Sequence, residues 1–239
     1  KAYWTDGGQI IPPHDKGIIE AVNQVKEIKT SPAPNITIIG KEVDDAYIAA
    51  VANESMSESR SAKIVYSPLH GTGIMSVQKV LEHIGFNDLT IVAEQASPDG
   101  TFPNLPNNIP NPEVPTASEM VTEYAKRLGA DIAITTDPDA DRLGVVAQDT
   151  DGQYKLLTGN QIAALAAYHT LSKGGKGFMV RTIVTTDLLD AIAADFGNKM
   201  YNHILVGFKY VAQLIREYQD NKDETFLLGG EESYGLLKG

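Results

Sequence analysis

The chain has 239 residues, 42% of them hydrophobic, no cysteine and a formal net charge of −11. This length supports apolar cores in one large or two ordinary domains, and two is the preferred reading. The charge argues against nucleic acid or an anionic membrane as the principal partner, and the lack of cysteine excludes disulfides, thiolate metal sites and a cysteine nucleophile. No apolar run is long enough to span a bilayer and no signal peptide opens the chain, so a cytoplasmic location is expected. The chain starts on K-A-Y-W without an initiator Met and stops at Gly239, just after a Gly/Glu/Ser cluster, and it reads as a piece of a longer protein.

Apolar residues at 18, 19, 22, 25 and 28 predict a helix over residues 18–28, which the T-S-P-A-P-N run at 30–35 breaks. Residues 36–39 predict a short strand. A helix over 44–53 follows, capped by Asp44 and burying Tyr47, Ile48 and Val51. A strand at 63–66 runs into S-P-L-H-G-T-G and a helix carrying Ile74, Val77, Leu81 and Ile84, which Gly85 closes. The next strand is expected at 89–93. A long loop rich in Pro and Asn, residues 97–115, leads to a helix with Met120, Val121, Tyr124 and Leu128 on one face, then to strands at 132–135 and 143–147.

The Asp151-Gly152 turn ends this unit and a second one begins. It comprises a strand at 154–157, a helix over 160–171, a strand at 178–181, a helix over 187–196 and a strand at 203–206. A helix with Tyr210, Val211, Leu214, Ile215 and Tyr218 follows, and a last strand at 226–228 delivers the loop G-G-E-E-S-Y-G. Such alternation predicts an α/β fold made of two consecutive units with both sheet faces covered. No tandem repeat is visible in the sequence.

Asp137, Asp139 and Asp141 follow the buried strand at 132–135, at the carboxyl end where open α/β sheets keep their ligands. In an extended segment positions i, i+2 and i+4 share one face, so the three carboxylates converge while Pro138 restrains the turn. Like charges at that spacing call for a cation, and hard oxygen donors without His or Cys favour Mg²⁺ or Mn²⁺. An EF-hand is excluded, because a loop opening at Asp137 has Arg142 and Gln148 where Gly and Glu are required. The plain alternative is a solvated acidic turn. Arg142 beside a metal would suit a bound phosphate.

Glu231 and Ser233 lie between glycines after a strand and would suit sugar hydroxyls, or form only a tight turn. The His70-Gly71-Thr72-Gly73 run resembles an anion-binding helix start but lacks a Walker lysine, and a structural turn is the simpler reading. Gly207, Phe208 and Lys209 sit between a strand and a helix, where Lys209 could offer a phosphate-facing amine or simply be solvated. His14, next to two prolines, reads as a loop or helix-start residue.

Taken together, T-T-D-P-D-A-D-R-L, G-G-E-E-S-Y-G, L-V-G-F-K and S-P-L-H-G-T-G resemble the α-D-phosphohexomutases, the phosphoglucomutase and phosphomannomutase family. So do the opening K-A-Y-W-T-D-G-G-Q-I-I-P-P-H-D and the run Ile109, Pro110, Asn111, Pro112, Glu113. The resemblance implies that residues 1–34 are the tail and linker of a first, catalytic-serine domain. Residues 35–151 would then be domain II with the metal loop, and 152–239 domain III with the sugar loop, each a mixed sheet packed between helices. It further implies that Asp137, Asp139 and Asp141 bind Mg²⁺ and that Arg142 supports the phosphoryl group. Glu231 and Ser233 would hold sugar hydroxyls, Gly207 and Lys209 would line the sugar site, and Lys1 would be an acid/base residue. The activity implied is interconversion of hexose 1-phosphate and hexose 6-phosphate through a phosphoserine and a hexose 1,6-bisphosphate. The family's T-A-S-H-N-P serine loop and its fourth domain are absent from these residues, so turnover by this stretch alone is not expected. The rivals are a non-catalytic phosphosugar or divalent-cation binding module and a metal-dependent hydrolase. Choice of hexose and oligomeric state are not legible.

Overall fold

The computed structural model describes residues 2–5, 7–28, 36–220 and 224–239. Lys1 and the expected break at 30–35 lie outside the described residues. The amino-terminal helix α1 is His14–Asn23, shorter and earlier than the 18–28 expectation, and Ile18, Ile19 and Val22 on it remain exposed. Residues 36–39 pair with no strand among the described residues and Ile36, Ile38 and Ile39 are exposed, so the strand expected there does not form. Helix α2, Lys41–Ala52, starts after Gly40. Asp44 is therefore no cap but a first-turn acid facing Lys79 at 3.4 Å, a placement that suits the helix dipole. Of the three expected core residues on α2 only Ile48 is buried, and Tyr47 is exposed.

The first sheet has strand order β2-β1-β3-β4-β5. In chain order its elements are β1 (Ile64–Ser67), α3 (Val77–His83), β2 (Leu89–Ile91), α4 (Glu119–Leu128), β3 (Ile132–Thr136), β4 (Leu143–Gln148) and β5 (Tyr154–Leu156). Strands β2, β1 and β3 run parallel, and β4 and β5 join antiparallel to them, which makes the sheet mixed. Strand β5 had been expected in the second unit. It pairs with β4 instead, because the Asp149–Gly152 turn folds it straight back, so the junction between units falls beyond Leu156. Val65, Ala133 and Val146 of this sheet pack on Val121 and Ala125 of α4. Gly129, at φ +63, ends that helix in the left-handed conformation that glycine adopts at little cost.

The second sheet has strand order β7-β6-β8-β9. Helix α5 (Gly159–Ser172) opens with a reciprocal cap in which the Gln161 N–H donates to Thr158 Oγ1 and the Thr158 N–H donates to Gln161 Oε1. Then come β6 (Phe178–Thr182), α6 (Leu188–Asp195), β7 (Lys199–Ile204), α7 (Phe208–Ile215), β8 (Phe226–Gly230) and β9 (Leu236–Lys238). Strand β7 lies earlier than the expected 203–206: pairing with β6 begins at Lys199, and Leu205 and Val206 are exposed beyond its end. Strand β9 was not anticipated; β8 is not the last strand, and the glycine-rich loop turns the chain into an antiparallel return. One sheet face packs Met179 and Leu228 against Ala163 and Ala167 of α5 and Leu189 and Ala193 of α6, and the other packs Phe178, Val180 and Phe226 against Val211 of α7.

Phe178 is fully buried with its ring 5.4 Å from Tyr201 and 5.6 Å from Phe226. Phe178→Ala is expected to cost about 3–5 kcal/mol, the usual range for emptying such a site, measured by urea denaturation.

Candidate active site

Because β1 and β3 are parallel neighbours, the loops after them leave the same sheet edge and touch. A Cβ on Gly71 would lie 2.4 Å from Pro138 Cα, so only glycine permits this approach. Both the N–H and the Oγ1 of Thr72 donate to the Pro138 carbonyl, at 2.9 and 3.0 Å. The His70–Gly73 turn thus spends its first donor on the acidic loop, as a structural turn would, rather than presenting it to an anion. Its own register is set by the His70 Nδ1 contact with the Ser97 carbonyl at 2.9 Å. Beneath it Tyr66 and Thr136 share a hydroxyl–hydroxyl hydrogen bond of 2.8 Å; burial pushes the Tyr66 phenol up to about 12 against the lowering effect of that bond.

On this buttress the carboxylates of Asp137, Asp139 and Asp141 converge, with one oxygen from each within 4.8 Å of the others. Asp137 is buried at 1% exposure, and its charge is met by Arg142: the Arg142 backbone N–H donates to Oδ1 at 3.0 Å and Nε to Oδ2 at 2.8 Å. Arg142 Nη1 reaches Glu113 Oε1 at 3.3 Å. Burial works to lower the guanidinium pKa, and the hydrogen bonds and charges of Asp137 and Glu113 together hold it above its ordinary value. An oxygen-only donor set of this compactness could hold a hard divalent cation.

The second unit supplies the opposite wall. Gly207, at φ +120, starts α7 and donates its N–H to Glu231 Oε1 at 2.5 Å, while Ser233 Oγ donates to Glu231 Oε2 at 3.4 Å. Glu231 is 6% exposed, so its carboxylate is aimed by these contacts rather than by solvent. The neighbouring Glu232 accepts from Thr185 Oγ1 at 3.0 Å and anchors the loop to the sheet. Lys209 Nζ lies 3.7 Å from Asp15 of α1 and 5.1 Å from the centre of the Tyr210 ring.

Asp137, Asp139, Asp141 and Arg142 share one cleft of about 430 Å³ with Gly207, Lys209, Glu231 and Ser233. Every candidate site residue read from the sequence, apart from the undescribed Lys1, lines this single space. The Leu143 N–H donating to the Tyr234 carbonyl at 3.0 Å ties the two walls together. Gln9 and Phe208 also line the cleft and had been given no role. Gln9 belongs to the opening motif, where nothing in residue type marked it. Phe208 is fixed by Gly235, whose Cβ would come within 2.3 Å of its ring.

Two family models match the chain in sequence. Residues 45–152 match the phosphoglucomutase/phosphomannomutase alpha/beta/alpha domain II, and residues 158–238 match domain III of the same family. The chain belongs to the phosphoglucomutase/phosphomannomutase family. It is 32% identical to a protein named "Probable phosphomannomutase" from Haemophilus influenzae, over 97% of this chain and 46% of that one. It is 31% identical to a phosphoglucomutase of Staphylococcus aureus, over 99% of this chain and 44% of that one. The chain therefore spans about half the length of these curated relatives. A crystal structure from Thermus thermophilus, described as a phosphomannomutase, superposes with a TM-score of 0.77 at 24% identity, over 97% of this chain and 49% of that one, and shares the fold. Among phosphohexomutases, then, these residues correspond to two consecutive mixed α/β domains. No helix among the described residues is long and apolar enough to cross a membrane.

Gly71→Ala should push the acidic loop off its buttress. The expected loss is about 1–3 kcal/mol of stability in urea denaturation, as for other overpacked sites, with weaker binding of added Mg²⁺ in calorimetry.

Proposed function

We propose that this chain carries the metal-binding and sugar-binding walls of an enzyme that interconverts hexose 1-phosphate and hexose 6-phosphate through a phosphoserine and a hexose 1,6-bisphosphate. The observation that carries this reading is the shared cleft, where an oxygen-only acidic triad and Arg142 face Glu231, Ser233 and Lys209 across a space of sugar-phosphate size. Membership of the mutase family and the names of its relatives support it.

In this reading Asp137, Asp139 and Asp141 would hold Mg²⁺, which when bound supplies positive charge against the oxygens of a phosphoryl group. Arg142 adds charge-assisted hydrogen bonds to the same oxygens, with its plane fixed by Asp137. Glu231 accepts from sugar hydroxyls and, held by Gly207 and Ser233, keeps its geometry as the sugar turns between half-reactions. Lys209 brings a positive charge to the sugar side of an otherwise acidic cleft. Lys1 is proposed as an acid/base residue on its sequence position alone. The residues before 35 would end a first domain, the metal wall would belong to a second running through β5, and the sugar wall to a third. The setting proposed is cytoplasmic, with neither nucleic acid nor membrane as a partner.

Mg²⁺ titration is expected to raise the melting temperature of the 239-residue chain, and Asp139→Asn to abolish the rise; equal rises in both would remove the metal assignment. The same purified chain should not convert glucose 1-phosphate to glucose 6-phosphate, because its residues include no T-A-S-H-N-P serine loop. In the full protein, Glu231→Gln should lower kcat/KM about ten- to hundredfold, the equivalent of roughly 1.5–3 kcal/mol for a hydrogen bond to a charged group, with little change in stability. Unchanged kinetics would make this loop only a turn.

A further inference from the structure

Glu113 sits in the proline-rich loop, 29 residues before Arg142 in sequence, and its carboxylate meets the far end of the Arg142 guanidinium. It is not among the residues lining the cleft. Any influence on a molecule bound there must pass through Arg142. A guanidinium gripped at Nε alone can still swing its two amino groups on a long, flexible stem; a second anchor at Nη1 fixes its plane. Asp137 takes Nε at 2.8 Å and Glu113 takes Nη1 at 3.3 Å, so the two acids hold the group at two separate edges. Nη2 is then the amino group left to address a ligand.

Glu113 is itself held on a rigid support. Its N–H donates to Asn111 Oδ1 at 3.0 Å, and the Val114 N–H donates to the Asn111 carbonyl at 3.0 Å, closing the turn around it. Pro112 presses on the start of β4, where a Cβ on Gly144 would lie 2.8 Å from Pro112 Cβ. Pro115 opens the 3₁₀ turn that leads into α4. Glu113 also bears on the sugar wall. Burial first, and the Glu113 charge second, raise the pKa of Tyr234, whose carbonyl receives the Leu143 N–H. The proline loop therefore meets both walls of the cleft at one carboxylate.

We propose that Glu113 is a positioning residue that sets the plane of Arg142 for the phosphoryl group, an inference that rests on the phosphoryl-transfer reading of the cleft. Glu113→Ala removes the anchor, whereas Glu113→Gln keeps an acceptor oxygen for Nη1. In the full protein, Glu113→Ala should lower kcat roughly tenfold with KM for the hexose phosphate changed by less than about twofold, and Glu113→Gln should recover most of the loss. Separately, ¹⁵N relaxation of the Arg142 side chain in the 239-residue chain, assigned with Arg142→Lys, reads rotation about Nε–Cζ without any activity. That rotation should be at least about tenfold faster in Glu113→Ala than in the unmodified chain and in Glu113→Gln. Equal rotation in all three, or an unchanged kcat in Glu113→Ala, overturns the proposal. An unmodified full protein without mutase activity would instead overturn the phosphoryl-transfer reading, and the relaxation measurement would still decide whether Glu113 holds Arg142.

Discussion

Three carboxylates crowded at the end of one buried strand are the constraint around which the site is built. Their mutual repulsion would open the loop unless opposite charge and backbone support held it closed. Arg142 supplies the charge from inside the loop and Glu113 steadies it from behind. The His70–Gly73 turn supplies the support, with Thr72 bonded to the Pro138 carbonyl and Gly71 packed against the Pro138 backbone. Asp137, almost wholly buried, is tolerated because its charge is paired and both its oxygens accept hydrogen bonds.

The same constraint explains how the two sheets are used. Parallel strands bring their carboxyl ends to one edge, so loops distant in sequence become neighbours without needing special chemistry of their own. In the first sheet that edge carries the acid triad after β3, and in the second it carries Gly207 after β7 and Glu231 after β8. The contact between the Leu143 N–H and the Tyr234 carbonyl, and the pair between Lys238 and Glu54, hold the edges against each other. Close glycine contacts recur along this seam: Gly159 approaches the Glu232 carbonyl and Gly235 the Phe208 ring, both nearer than any side chain would allow. A net charge of −11 is accommodated locally, since Arg142 and Lys209 place their positive charge in the cleft itself.

Much of the α/β order was legible because burial leaves a periodic trace. Val121 and Ala125 on α4 and the runs at β1, β3 and β6 face apolar cores and read as such. The misreadings occur where burial and sequence pattern part company. Residues 36–39 look like a strand, but a strand exists only if a neighbour accepts its hydrogen bonds, and none does among the described residues. Conversely, the polar K-M-Y-N-H-I run hides β7, and β9 is hidden because three residues carry no period. Strand β5 was assigned to the wrong sheet, since its letters fit either and only pairing with β4 decides.

Residue type and local spacing by themselves determined the donor chemistry here: Asp137, Asp139 and Asp141 at alternate positions after a buried strand, Arg142 beside them, and Glu231 and Ser233 between glycines. Those are properties of short segments, in which side-chain direction follows directly from the backbone repeat. Only the tertiary structure decided that Asp137 and Glu231 face one cleft, that Gly207 orients Glu231, and that Glu113 reaches Arg142. Each of those contacts joins residues 24 or more positions apart, and such distances close only once two sheets have packed and their strand ends have been brought to a common edge.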